Sequence, residues 1–220
     1  VIRLVAFDFD GTLAETRAAV STTVNAALAA HELPRVAPAC IHGWMGLPLE
    51  TVFQRCLPPP ARGRWSDLGP LVRWYRARFA ELGEALVTPM PGAHALLDAL
   101  AAEGMQLAIA TSRERSSLDR LLEHLGLTGR FAQIVACNDV ARGKPDPELL
   151  RLLLTRTGLE AHEVRMVGDT TFDVQMARAA GVAVAAVVGG CHDRASLIAA
   201  GPDAVLDELV AVRSWLQAGG

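Results

Sequence analysis

The chain opens on VIRLVAFDFDGTLAET, residues 1–16, and this stretch limits the possible folds more than any other. Ahead of Asp8 the residues are apolar apart from Arg3, as in a strand buried on both faces of a parallel sheet. The run stops at Asp8 and Asp10, which lie two apart and so point to the same side of an extended chain. Gly11 then permits the turn that keeps the acids out of the core. Like charges held this close repel unless a cation sits between them or one carboxyl keeps its proton. Either solution is a chemical one, with Asp8 as a nucleophile and Asp10 as its acid/base partner. The plainer alternative is a strand end whose solvated acids cap the next helix, and the rest of the chain has to decide between them.

Beyond residue 15 the pattern turns helical. Apolar residues recur every three or four positions over 18–33 and again over 71–86, with no strand evident between them. Pro34, Pro38, Pro48, the run Pro58 to Pro60, and Pro70 divide this stretch into about four short helices, since proline ends helices and is tolerated in their first turn. A helical insertion directly after the first strand reads as a lid. The turn signal TPMPGAH from Thr88 marks the return to the main domain.

Strand and helix then alternate: helix 92–104, strand 105–112, helix 113–126, strand 131–137, helix 146–158, strand 164–169 and helix 170–181, followed by VAVAAVVGG as a strand and a final short strand and helix. This order predicts an α/β fold, a Rossmann-like parallel sheet with an inserted α-helical cap; residues 1–14 and 87–220 form the core and 15–86 the cap. Ligands of such sheets bind beyond the carboxyl ends of the strands. The strand ends carry Asp8 and Asp10, Thr111 and Ser112, and Gly168, Asp169 and Asp173, so three strands aim polar chemistry at one rim.

Composition narrows the partners. With 51% hydrophobic residues, 220 residues bury a real core, and 21 basic against 24 acidic residues leave a net charge of −3 with no basic stripe for nucleic acid. An anionic substrate must therefore be met locally. Cys40, Cys56, Cys137 and Cys191 lack any CxxC or zinc-ligand spacing and read as free, buried thiols of a reducing compartment. The longest apolar stretch, Ala179 to Gly190, is unlike a membrane span of about 20 residues, so the expectation is a soluble, cytoplasmic protein without a membrane partner.

Taken together, DFDGT at Asp8–Thr12, Thr111-Ser112 after a core strand, Lys144 in RGKPDP, and GDTTFD with Asp169 and Asp173 resemble the ordered motifs of the haloacid dehalogenase superfamily of aspartate-dependent phosphohydrolases. The resemblance implies Mg²⁺ held by the side chains of Asp8 and Asp169, the main-chain carbonyl of Asp10, and Asp173 directly or through a water. It implies attack by Asp8 on phosphorus to give an aspartyl phosphate, with Asp10 protonating the leaving alcohol and then taking a proton from water. To hold that proton near neutral pH, Asp10 needs a bias of roughly 4 kcal/mol over the aspartate reference. Thr111, Ser112 and Lys144 would bind the phosphoryl oxygens. Each has a plainer alternative: Thr111 and Asp169 as helix caps, Lys144 as a solvated loop lysine.

The insertion matches in position the small helical cap of the phosphoglycolate phosphatase and β-phosphoglucomutase branch, which carries leaving-group specificity. Within it, residues 41–50 are the candidate specificity segment, with His42 as a possible contact and Trp44 and Met45 as ordinary cap core. Arg17 and Arg113 stand near the catalytic loops, in reach of a second anionic group. An acid at Asp10 points to phosphate esters or anhydrides, because the relatives that cleave carbon–halogen or phosphonate bonds lack one there. The leading expectation is a Mg²⁺-dependent phosphatase acting on a small phosphorylated metabolite, similar to phosphoglycolate phosphatase. A pyrophosphatase and a hexose-phosphate mutase of the β-phosphoglucomutase type stay open. A response-regulator receiver does not fit, since receivers are shorter and carry no helical cap.

Overall fold

The computed structural model describes residues 1–59 and 65–219; Pro60, the last of the proline run, lies outside them. Strand β1 (Leu4–Phe7) is fully buried along its length and sits in the middle of a six-stranded sheet. It pairs in parallel with β4 (Gln106–Ala110) on one side and β6 (Val164–Gly168) on the other. β5 (Gln133–Val135) extends the sheet beyond β4, and β7 (Ala183–Val187) and β8 (Ala204–Leu206) extend it beyond β6, all parallel. An apolar strand without polar alternation is stable only with both faces covered, and the central position supplies that cover.

Alternate β1 residues feed two cores. Val5 and Phe7 join a cluster shared with α5 (Ala93–Ala102), α6 (Arg115–His124) and α10 (Val212–Gln217). Leu4 and Ala6 join the opposite cluster under α7 (Glu148–Thr157), α8 (Thr171–Ala180) and α9 (Arg194–Ala200). The register pairs Phe7 with Ile109 and with Val167, so the chain leaves all three strands together, at Asp8, Thr111 and Asp169.

Two short strands, β2 (Ala14–Glu15) and β3 (Thr88–Pro89), pair antiparallel and bracket the helical insertion. Between them, among the described residues, run α1 (Arg17–Ala30), α2 (Pro38–His42), α3 (Leu49–Cys56) and α4 (Gly69–Leu82). Pro38 and Pro70 sit in the first turns of α2 and α4, where a missing N–H costs nothing. Helices α1 and α4 pack on each other, and Tyr75 bridges Phe53 at 6.1 Å and Phe79 at 5.5 Å between ring centres. The buried Asn25 secures the loop after α1 by donating to the Val36 carbonyl at 3.0 Å and accepting from the Val36 amide at 2.8 Å.

Several boundaries differ from the sequence expectation. Helix α4 stops at Leu82 because Gly83 follows it, and Glu84–Leu86 form a separate 3-10 turn. The helix α9, capped by Asp193 accepting from the Ser196 amide at 2.7 Å, and the β2–β3 pair are additions. The thiols are free as expected, but only Cys56 is buried and Cys40 is exposed, since the short α2 buries Ile41 and not Cys40. No helix among the described residues is long and apolar enough to cross a membrane.

Candidate active site

The end of β1 is held tightly. The Asp8 amide donates to the Val167 carbonyl at 2.9 Å, and the chain then turns sharply, with the Leu13 and Ala14 amides both donating to the Phe9 carbonyl at 3.0 Å. Gly11 has φ 85°, and a Cβ there would strike the Asp169 carboxylate. Gly190, after β7, presses on the same carboxylate from the other side. Glycine at both positions lets two backbone segments close around one acid.

Asp169 is fully buried at the end of β6 and accepts from the Thr12 hydroxyl and the Cys191 amide, each at 2.7 Å. Burial first, then the neighbouring Asp173, pushes its pKa up to about 6. Asp173, in the first turn of α8, uses Oδ2 in a capping box with Thr170: the hydroxyl donates at 2.7 Å and the amide at 3.0 Å. Its Oδ1 lies 2.7 Å from the Lys144 ammonium.

Lys144 is 0% exposed and bridges two acids, with Nζ also 2.7 Å from Asp8 Oδ1. Burial works against its charge, but Asp173 and Asp8 together raise its pKa. Asp8 Oδ1 also accepts from the Phe9 amide at 2.7 Å, which leaves Oδ2 buried and without a partner. Burial raises the pKa of Asp8 well above the ordinary value, Lys144 opposes this, and Asp173, Asp169 and Asp10 add to it. Asp8, Asp169 and Asp173 bring their oxygens within 4.8 Å of one another. Three buried carboxylates with one ammonium among them, and one carboxylate oxygen unpartnered, suit an oxygen-loving divalent cation.

Thr111 is fully buried at the end of β4 and accepts from the Arg113 amide at 3.1 Å; it does not cap α6, whose N-cap is Glu114. The cap of α8 is likewise Thr170, so neither plainer capping role expected for Thr111 and Asp169 is the one found. The Ser112 hydroxyl donates to the Gly46 carbonyl at 2.6 Å and docks the insertion on the sheet. Asp10, 15% exposed, is gripped by Arg113: Nε lies 3.0 Å from Oδ2 and Nη2 lies 2.5 Å from Oδ1. That fork is the bidentate geometry of a guanidinium with a carboxyl group. Arg113 also stacks on Phe79 of α4, its Cζ 4.6 Å from the ring centre.

Of these, Asp8, Asp10, Thr111, Ser112 and Arg113 open into a cavity of about 320 Å³ between the sheet rim and the insertion, covered by residues 45–48 and residues of α1, α3 and α4; Lys144, Asp169 and Asp173 do not line it. Arg17 and His42 do not line it. Arg17 is taken up by Glu15 and by the Gly190 carbonyl at 2.8 Å, which ties the insertion to the core, and His42 Nε2 meets the Arg17 carbonyl at 3.2 Å within the insertion. Residues 45–50 of the candidate specificity segment do line it, together with Val20, Tyr75 and Phe79, which sequence reasoning passed over. The helical spacing of Tyr75 and Phe79 was the available signal, since it puts both rings on one face of α4.

A family model described as haloacid dehalogenase-like hydrolase matches residues 5–187. The chain is 37% identical to "Probable phosphatase IndB" of Dickeya dadantii, over 93% of this chain and 89% of that one. It is 34% identical to a phosphoglycolate phosphatase of Rhodospirillum rubrum, over 97% and 90%. A haloacid dehalogenase-like family hydrolase of Streptococcus pneumoniae shares the fold, with a TM-score of 0.85 over 98% of this chain and 99% of that one, at 24% identity. By the family match, the identities and the fold, the chain belongs to the haloacid dehalogenase-like hydrolases, among their phosphatases.

Proposed function

We propose that this phosphatase hydrolyses small-molecule phosphate monoesters through an aspartyl phosphate on Asp8, with Mg²⁺ as cofactor. The observation that carries the reading is the buried, unpartnered Oδ2 of Asp8 beside a lysine-bridged set of carboxylates, at the floor of a cavity that also receives Asp10. An unpartnered carboxylate oxygen in a buried site is costly unless a ligand or reaction uses it.

Asp8 Oδ2 forms the new bond to phosphorus as the ester oxygen departs, and Asp10 gives that oxygen its proton. Water then attacks phosphorus, Asp10 takes the proton, and phosphate leaves with Asp8 restored. For the first step Asp10 must leave the Arg113 fork, so the pair seen here is a resting arrangement. Lys144, 2.7 Å from Asp8, holds the carboxylate in line, while the Thr111 hydroxyl and the amides beyond it receive the phosphoryl oxygens together with Ser112. Asp8, Asp169, the Asp10 carbonyl and Asp173 are the residues that would hold the metal. When bound, Mg²⁺ supplies the positive charge that offsets the carboxylates and the transferring phosphoryl group.

The insertion, residues 15–86, acts as the cap over a core of residues 1–14 and 87–220, excluding water from Asp8. The substrate is a small phosphorylated metabolite, as the phosphoglycolate phosphatases among the relatives suggest, met in the cytoplasm. Phosphate release from a panel of monoesters, measured with Mg²⁺ and with EDTA, tests this. Metal-dependent release that Asp8→Asn abolishes supports the reading, and release that survives Asp8→Asn overturns it.

A further inference from the structure

The charges around the cavity are already matched. Three arginines line it against four carboxylates: Arg76, Arg113 and Arg120 against Asp8, Asp10, Glu50 and Glu114. Arg113, the deepest of the three with its side chain 6% exposed, has both edges engaged, by Asp10 and by the Ser117 hydroxyl at 2.9 Å. Arg76 stands 3.3 Å from Glu114 and 3.8 Å from Glu50, and Arg120 lies 3.4 Å from Glu84. Among the described residues, no arginine of the lining is without a carboxylate partner.

The insertion's side of the remaining wall is largely apolar, while the core side adds Thr111, Ser112, Ser116, Ser117 and Cys137. Val20 of α1, Leu47, Val52 of α3, and Tyr75 and Phe79 of α4 face the cavity. Burial raises the pKa of the Tyr75 hydroxyl, so it stays a neutral phenol at working pH. At about 320 Å³ the space holds the equivalent of about ten waters, more than a phosphoryl group and a small hydroxy acid need.

We infer that the preferred substrate is a phosphate monoester whose leaving group is uncharged, carries an apolar or aromatic face, and is larger than glycolate. The inference rests on the phosphatase reading above and narrows its substrate class. A second anion near the phosphate, such as the carboxylate of phosphoglycolate, would find Arg76 and Arg120 already paired with glutamates, and could reach Arg113 only once Asp10 has left it. A neutral apolar group loses nothing to either and gains from covering the α3–α4 wall.

Benzyl phosphate and phosphoglycolate are a suitable pair, since both are alkyl esters and leaving-group acidity does not separate them. The inference expects kcat/KM for benzyl phosphate to exceed that for phosphoglycolate by about tenfold, the worth of a modest apolar contact. Equal values, or a preference for phosphoglycolate, overturn it. Asp8→Asn run beside them keeps the two claims apart: release that persists in this variant sinks the phosphatase mechanism, whereas a phosphoglycolate preference with Asp8-dependent release sinks only the substrate class. If neither ester turns over, calorimetric titration of both into Asp8→Asn makes the same comparison, and tighter phosphoglycolate binding or no binding of benzyl phosphate overturns the inference. A second variant tests the cause. Glu50→Gln with Glu114→Gln frees Arg76, and the ratio of kcat/KM for phosphoglycolate over benzyl phosphate should rise by about fivefold, mainly through KM for phosphoglycolate. An unchanged ratio means charge matching does not set the preference.

Discussion

Replacing Lys144 with Met keeps most of the side-chain volume and removes the charge. The ammonium is fully buried and 2.7 Å from both Asp8 and Asp173, so its loss leaves two buried carboxylates uncompensated. Breaking a buried pair in this way costs about 3–5 kcal/mol, and in a chain of this length that lowers Tm by roughly 6–20 °C. The pH dependence has a definite sign. Asp8 already has a raised folded-state pKa, with burial the largest cause and Lys144 opposing it, and without Lys144 it rises further. A raised carboxylate pKa means that stability is present below the unfolded value and is lost as pH climbs towards the folded one. The deficit of Lys144→Met relative to wild type is therefore largest near pH 8 and shrinks in acid. Urea unfolding of both proteins in EDTA from pH 5 to 8 measures it. A deficit below about 1 kcal/mol at pH 7.5, or one that grows as pH falls, refutes the reasoning. Turnover should fall about 10²–10³-fold, as when a preorganised charge is removed from a transition state.

Thr12→Val removes the donor to Asp169 Oδ1 and should cost about 1.5–3 kcal/mol of stability, together with weaker Mg²⁺ binding by calorimetry; unchanged affinity would detach Thr12 from the metal site. Asp10→Asn should slow ester cleavage most for poor leaving groups, so a loss equal for activated and unactivated esters in pre-steady-state assays would remove Asp10 as the acid. Phe7→Ala, in the fully buried β1, should cost about 3–5 kcal/mol in urea unfolding, and a cost near zero would contradict the account of the core. Saturating Mg²⁺ should raise Tm in wild type, by an amount that Asp169→Asn abolishes.

The parallel sheet was legible because its central strands are buried on both faces, so β1 and its neighbours read as apolar runs interrupted only by Gln106 and Arg165, and because Asp8, Thr111 and Asp169 follow adjacent strands. The clustering of Lys144 with Asp8 and Asp173 follows once those strand ends are level. Other features leave no periodic trace. The β2–β3 pair is two residues per strand, too short for alternation to register. The Asp10–Arg113 fork joins residues 103 apart, and nothing local in either segment announces it. Proximity in sequence to a catalytic loop points to Arg17, and the bent segment 41–50 points to His42, but each has another partner in the structure, Glu15 for one and the Arg17 carbonyl for the other. The cavity walls came from Tyr75 and Phe79, whose apolar character is shared with ordinary core.

The central claim, that Asp8 carries the phosphoryl group, is tested most directly by the stereochemical course at phosphorus, using a monoester made chiral with oxygen isotopes. Two in-line displacements, first by Asp8 and then by water, predict net retention of configuration. Net inversion, the result of one direct attack by water, would contradict the account.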